Sequence, residues 1–135
     1  MGVVRLAEKF KRVHSAVFRK YVLSFPQYNV LRVLEASQGG KNKIGDVGKI
    51  MIVPVANLTG IAKRLEKEGF IKKNSDPADD RVTILEITHK GRKSLKHIEK
   101  EKDEWHESML KNLSENEKLE ILDKIIRLLK NFINI

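Results

Sequence analysis

The chain of 135 residues contains no cysteine, and this absence removes several classes of function at once. Disulfides, thiolate metal sites, a cysteine nucleophile and thiol-based redox sensing are all excluded. Long apolar runs are also missing, so no segment is predicted to span a bilayer. Charged residues interrupt the first 21 positions, which excludes the apolar core of a signal peptide and predicts a cytoplasmic protein.

Enzyme motifs are equally scarce. The sequence has no glycine-rich phosphate loop after a predicted strand and no serine in a nucleophile turn. Its four histidines are scattered over charged or apolar helix faces, which does not make a catalytic site. The sequence therefore predicts that the protein is not an enzyme and needs no cofactor.

Positive charge, by contrast, is in excess. The chain has 27 basic and 18 acidic residues, for a net charge of +9. Residues 41–73 hold eight basic side chains against three acidic ones, and residues 1–25 hold six against one. Charge of one sign gathered on part of a chain favours a polyanionic partner, because phosphate neutralisation releases condensed counterions. The alternative is a lysine-rich surface that is merely solvated.

The pattern of apolar residues predicts helices over most of the first half. Three- and four-residue steps indicate an amphipathic helix over residues 4–21. Ser24-Phe25-Pro26-Gln27 has the composition of a helix start, and Gly39-Gly40 stops the helix that follows. A short helix is predicted over 44–51 and a longer one from Pro54 to Gly69. Two helices joined in this way are typical of a helix-turn-helix.

A β-hairpin is predicted next, with strands at 70–73 and 82–87 around an acidic loop at 76–81. A long, highly charged helix follows from about 89 to 112, and Ser114 to Glu117 form a capping box that opens the last helix. The predicted fold is therefore mainly α with a small β-hairpin wing. It comprises a winged helix-turn-helix DNA-binding lobe and a helical dimerisation lobe formed by the N- and C-terminal helices.

Apolar residues of the central segment supply a core of their own. The predicted set is Val30, Leu31, Leu34, Val47, Ile50, Leu58, Ile61 and Leu65. The last helix carries two adjacent apolar stripes, a face wider than one neighbouring helix would cover. A second subunit is the favoured partner for this face, although part of it belongs to the core. The predicted dimer interface comprises Phe10, Val13, Val17, Leu119, Leu122, Ile126, Leu129, Phe132 and Ile133.

In a helix-turn-helix, the second helix lies in the major groove of DNA with its first residues at the base edges. Asn57 can then bond an adenine or a phosphate, and Thr59 can bond a phosphate or touch a thymine methyl. An arginine at the hairpin turn, Arg81, can enter a minor groove or simply pair with Asp79 or Asp80. The predicted DNA-binding residues are Pro54, Val55, Asn57, Thr59, Gly60, Lys63, Arg64, Lys72, Lys73 and Arg81.

Three motifs taken together resemble those of the multiple-antibiotic-resistance regulator (MarR) family. They are the leucine-glutamate-x-x-glycine run at 65–69, the acidic loop ending in Arg81, and Thr88-x-x-Gly91. The resemblance implies a winged-helix homodimer that binds pseudo-palindromic operators and represses or activates genes, and a repressor is the favoured interpretation for this chain. It also implies a single domain over 1–135, with a DNA-binding lobe at about 26–90 and dimerisation helices at about 1–22 and 91–135. The chain departs from the family pattern at Gly45, Gly48 and Gly60.

Many members of that family respond to small aromatic or anionic effectors, and the candidates for such a site here are Arg12, His14, Phe18, Tyr28 and Arg32. The alternative for His14, Phe18 and Tyr28 is a place in the core. On the long helix, Glu99, Asp103 and His106 or Glu107 share one face, but charge pairing in water explains them better than a metal. The alternative function for the whole chain is a winged-helix module for protein contacts or for non-specific nucleic-acid coating.

Overall fold

A computed structural model describes residues 1–133, apart from the side chain of Ile133, so the predicted interface role of Ile133 lies outside the described side chains. Most of the chain is helical, and the elements run in the following order: α1 Gly2–Arg19, α2 Phe25–Ala36, a 3-10 turn Gln38–Gly40, β1 Lys41–Lys43, α3 Ile44–Met51, α4 Val55–Lys67, β2 Ile71–Asp76, β3 Asp79–Ile87, α5 His89–Leu110 and α6 Glu115–Ile133. The predicted fold class, mainly α with a small β wing, is confirmed. By contacts the chain forms two units, Met1–Glu101 and a second that starts at Lys102.

Local sequence signals place the helix starts. Ser24 accepts a hydrogen bond from the Gln27 backbone at 3.3 Å, while the Gln27 side chain accepts one from the Ser24 backbone at 2.8 Å. The same reciprocal pair joins Ser114 and Glu117 at the start of α6, at 3.2 and 2.7 Å. Both predicted capping boxes are confirmed, because each satisfies two backbone N–H groups that a helix end would leave unpaired.

The sheet has three antiparallel strands in the order β1-β3-β2, and the sequence predicted only two of them. β1 is the polar tripeptide Lys-Asn-Lys, which pairs with β3 through Asn42 opposite Leu85. The wing is also longer than predicted, since only Pro77 and Ala78 lie in its turn. The prediction of a six-residue loop over 76–81 is therefore wrong. Asp76 closes the turn early, because its carboxylate accepts hydrogen bonds from Ala78 N–H at 2.9 Å and from Lys43 Nζ at 2.9 Å.

The first unit has a continuous apolar core drawn from α1 to α5 and from β2 and β3. Its fully buried members include Phe18, Leu31, Leu34, Leu58, Leu65, Leu85 and Ile98. One predicted member is wrong, because Ile50 is 59% exposed. The side of α3 that faces the core is centred on Val47 and Gly48, which turns Ile50 towards solvent.

Thr88 joins the wing to α5. Its hydroxyl shares one proton between the carbonyls of Gly69 at 2.6 Å and Phe70 at 3.0 Å, and it accepts the N–H of Gly91 at 3.2 Å. Gly91 is buried against the carbonyl of Phe70, where a Cβ would collide. The Thr88-x-x-Gly91 motif therefore ties the start of α5 to the end of α4.

The second unit contains the rest of α5 and all of α6. On α6, eight large apolar side chains are 41–71% exposed: Leu119, Ile121, Leu122, Ile125, Ile126, Leu128, Leu129 and Phe132. In the described part of the chain no single helix is long and apolar enough to cross a bilayer, although α3 and α4, bent by 111°, meet that length and composition criterion as a pair.

Candidate nucleic-acid interface

The turn between α3 and α4 leads into a helix whose apolar side faces the core. Ile52 takes the left-handed conformation (φ 56°), and its N–H bonds the carbonyls of the last turn of α3. Pro54 caps α4, whose buried residues are Leu58, Ala62 and Leu65. Since these three share one helix face, the opposite face of α4 is open to solvent.

The predicted base-reading residues lie on the open side of α4. Val55, Asn57, Thr59 and Gly60 are all exposed, and a Cβ added at Gly60 would meet nothing within 4 Å. The Thr59 hydroxyl donates to the carbonyl of Val55 at 2.9 Å. Pro54, at the start of the helix, is exposed as well.

The predicted phosphate contacts fall into two groups. Lys63, Arg64 and Lys72 are exposed, and none of them forms an ion pair with the residues that the structure describes. Lys73, in contrast, pairs with Glu66 of α4 at 2.9 Å. Three cations are therefore available to an external anion, while the fourth fastens β2 to α4.

The sequence placed Arg81 in the hairpin turn, and this prediction is wrong. Arg81 lies on β3, because the strand begins at Asp79. Its side chain is 90% exposed, and two of its guanidinium nitrogens donate hydrogen bonds to the Asp79 carboxylate, at 3.0 and 3.2 Å. Side chains two residues apart on a strand share a face, which brings the two groups together. The Arg81 guanidinium lowers the pKa of Asp79 from its ordinary value.

A cleft of about 440 Å³ lies between α3, α4 and β3. Cations from several elements line it together with Asp46, and each of these cations is paired with a carboxylate. Lys73 and Arg81 were predicted as site residues, whereas Lys43 and Lys49 were not. The only sequence signal for Lys43 and Lys49 was the excess of positive charge over residues 41–73. A count of charges does not show where each side chain lies in the folded protein. The α4 face, its cations and the wing together form a basic surface of the kind that binds a polyanion.

The candidate effector residues are divided between two places. His14, Phe18 and Tyr28 are buried and stacked in sequence, with ring centroids 6.0 and 4.2 Å apart. Arg32 joins them, since its guanidinium donates to the Tyr28 hydroxyl at 3.3 Å and pairs with Glu99 at 3.1 Å. Burial and the hydrogen bond to Glu99 raise the pKa of Tyr28. Arg12 is exposed and lines a separate groove of about 580 Å³.

Glu99, the first residue of the weaker metal hypothesis, accepts hydrogen bonds from Tyr28 and Arg32. Among the described residues, no group of three or more histidine, aspartate or glutamate side chains is placed to hold a metal ion.

The helix-turn-helix, the basic open face of α4 and the adjoining hairpin define a winged-helix nucleic-acid-binding fold. The family model described as transcriptional regulator SarA/Rot matches residues 12–98. An HTH-type transcriptional regulator of Bacillus subtilis (strain 168), YdgJ, is 31% identical over 90 residues, covering 67% of this chain and 55% of that protein. Two other curated relatives are matched over 46% and 48% of their own lengths. The chain therefore spans about half the length of the curated relatives that it matches.

Solved structures show the same fold. AbsC, a MarR family transcriptional regulator from Streptomyces coelicolor, has a TM-score of 0.85 at 15% identity, covering 98% of this chain and 90% of AbsC. A complex of S. aureus MepR with DNA has a TM-score of 0.85 at 18% identity, covering 96% and 94%. The chain belongs to the SarA/Rot family of transcriptional regulators, and the fold that its MarR-like motifs implied is confirmed. The expectation of a regulator rather than an enzyme is confirmed with it.

Proposed function

We propose that the protein is a homodimeric, sequence-specific DNA-binding repressor that recognises pseudo-palindromic operators. The open face of α4 carries this proposal, because it presents Asn57 and Thr59 to the groove beside the unpaired cations Lys63 and Arg64. Lys72 on the wing adds a cation for a flanking phosphate. The S. aureus relative of the same fold was solved bound to DNA, which supports the same role here.

A second subunit would cover the apolar face of α6. Side chains that are 41–71% exposed along the length of one helix are typical of an interface rather than of a free surface. The start of α1 adds Val3, Val4 and Leu6, which are 81%, 61% and 55% exposed. A two-fold dimer would present two α4 helices to DNA, so the half-sites are expected about 10 bp apart, or one helical turn.

DNA recognition is tested by selecting bound duplexes from a random pool and measuring affinity by fluorescence anisotropy at several salt concentrations. The selected duplex is expected to bind at least ~10³-fold more tightly than random duplex, with an affinity that falls steeply as salt rises. Lys63→Ala should reduce the salt dependence by about one phosphate contact. Lys100→Ala, which removes an exposed cation on α5, serves as the matched control.

The competing function is sequence-blind coating of nucleic acid, or a module for protein contacts. A preference of less than ~10-fold for the selected duplex would support coating and overturn the repressor. Repression itself is measured as transcription from a promoter that contains the selected duplex. Increased transcription on addition of the protein would contradict it.

The proposal extends to regulation by a small aromatic acid. The groove beside Arg12 also contains Arg19 and the apolar side chains of Leu23 and Phe25, a combination that suits an aromatic carboxylate. Benzoate is the probe, and it is expected to weaken DNA binding by the wild type but not by Arg12→Ala. Equal effects on both proteins would exclude this groove as the effector site.

A further inference from the structure

Apolar side chains interrupt the basic surface at the start of α4. Val55, in the first turn of the helix, is 47% exposed, and Thr59 lies one turn later on the same face. Both side chains line the cleft beside the wing, where the cations Lys49 and Arg81 are paired with Asp46 and Asp79. The exposed cations without an ion pair, Lys63 and Arg64, lie farther along α4, so a partner of this surface is expected to present a small apolar group with negative charge beside it.

The Thr59 side chain is oriented by its own helix. Its hydroxyl donates to the Val55 carbonyl at 2.9 Å, so its single proton is already used within the helix. The hydroxyl is thereby turned back towards the helix, and the methyl group is the part of Thr59 that can meet an apolar group. With Val55 it forms a short apolar strip on the side of α4.

Duplex DNA offers one apolar group at the edges of its bases in the major groove, and that is the C5 methyl of thymine. Lys63 and Arg64, the exposed cations farther along α4 that form no ion pair with the described residues, match the charge of the phosphates beside the groove. We infer that Val55 and Thr59 recognise the C5 methyl of a thymine in each half-site. This inference rests on the proposed DNA-binding function and assigns to Thr59 a base contact rather than a phosphate contact.

The experiment replaces thymine by uracil, which removes the methyl and leaves base pairing intact. In a duplex selected by the wild-type protein, each thymine is replaced in turn and the dissociation constant is measured at one salt concentration. One position in each half-site is expected to weaken binding by about fourfold, which corresponds to about 0.8 kcal/mol for one buried methyl.

Two substitutions at Thr59 separate its methyl from its hydroxyl. Thr59→Val keeps the methyl and should retain both the affinity and the sensitivity to uracil. Thr59→Ser keeps the hydroxyl and removes the methyl. This variant should bind the thymine duplex about fourfold more weakly, and the difference in its affinity for thymine and uracil duplexes should be smaller. Thermal melting confirms that both variants fold, as expected for an exposed helix position.

Three results would overturn the inference. These are uracil duplexes that bind like thymine duplexes at every position, a Thr59→Ser protein that keeps full sensitivity to uracil, and a Thr59→Val protein that loses affinity while Thr59→Ser retains it. Failure of the wild-type protein to bind any selected duplex would instead overturn the proposed function, so the two failures are distinct.

Discussion

Replacing glycine by alanine at two helix positions should have opposite effects on stability. Gly91 is buried at the start of α5, where a Cβ would collide with the Phe70 carbonyl oxygen and lie 2.8 Å from Cγ1 of Ile87. That carbonyl already accepts the N–H and the hydroxyl of Thr88, each at 3.0 Å. At Gly60 on α4, an added Cβ would meet nothing within 4 Å.

The expected magnitudes follow from these surroundings. Alanine is favoured over glycine in a helix by about 1 kcal/mol, so Gly60→Ala should raise the free energy of unfolding by about that amount. Gly91→Ala has the same helix preference. Against it stand overpacking, which costs about 1–3 kcal/mol, and the weakening of two hydrogen bonds worth about 1 kcal/mol each. The net loss at Gly91 should be about 2–4 kcal/mol.

Urea unfolding of both variants and the wild type, at one protein concentration, measures the difference. Because the chemical change is identical, each variant is the control for the other. A Gly91→Ala protein as stable as the wild type would show that the Thr88 turn shifts freely, and the reasoning from packing would be refuted. A Gly60→Ala protein that is less stable than the wild type would contradict the conclusion that a Cβ at Gly60 meets no neighbouring atoms.

Three further predictions concern the interface, the wing and its pH dependence. Leu122→Asp combined with Ile126→Asp should give a monomer by light scattering, whereas a dimer would place the interface elsewhere. Arg81→Ala should weaken binding to the selected duplex and lower the salt slope by about one, and unchanged affinity at moderate salt would exclude a DNA contact. The Ala78 N–H and Lys43 lower the pKa of Asp76 from 3.8. The stability that this pairing adds is therefore present above pH 3.8 and is lost as the pH falls through the lower, folded-state value. An NMR titration of Asp76 at or above 3.8 would contradict it.

Signals within a few residues of the chain predicted the helix starts and several turns. Ser24 and Ser114 cap their helices with partners three residues away, so the whole interaction was visible in the sequence. The core was mostly predictable from helical spacing as well. Ile50 was the exception, because spacing shows which residues share a face but not which face meets the neighbouring helices.

The wing was predicted less well, because its details depend on contacts between distant residues. β1 has no alternation of apolar and polar residues and is a strand only because β3 lies beside it. The salt bridge from Lys43 to Asp76 joins residues 33 positions apart and helps to close the hairpin at Pro77 and Ala78. Arg81 consequently lies on the strand, and its charge is directed by Asp79.

By itself, the sequence determined the absence of cysteine chemistry, the helical periodicity, the capping boxes and the basic central segment. These depend on composition or on neighbours along the chain. The tertiary structure alone decided which cations are paired with distant carboxylates and which apolar side chains stay exposed. Each of these depends on the neighbours in space that folding supplies. Thus Lys73 is held by Glu66, whereas Lys63 and Arg64 pair with no residue that the structure describes.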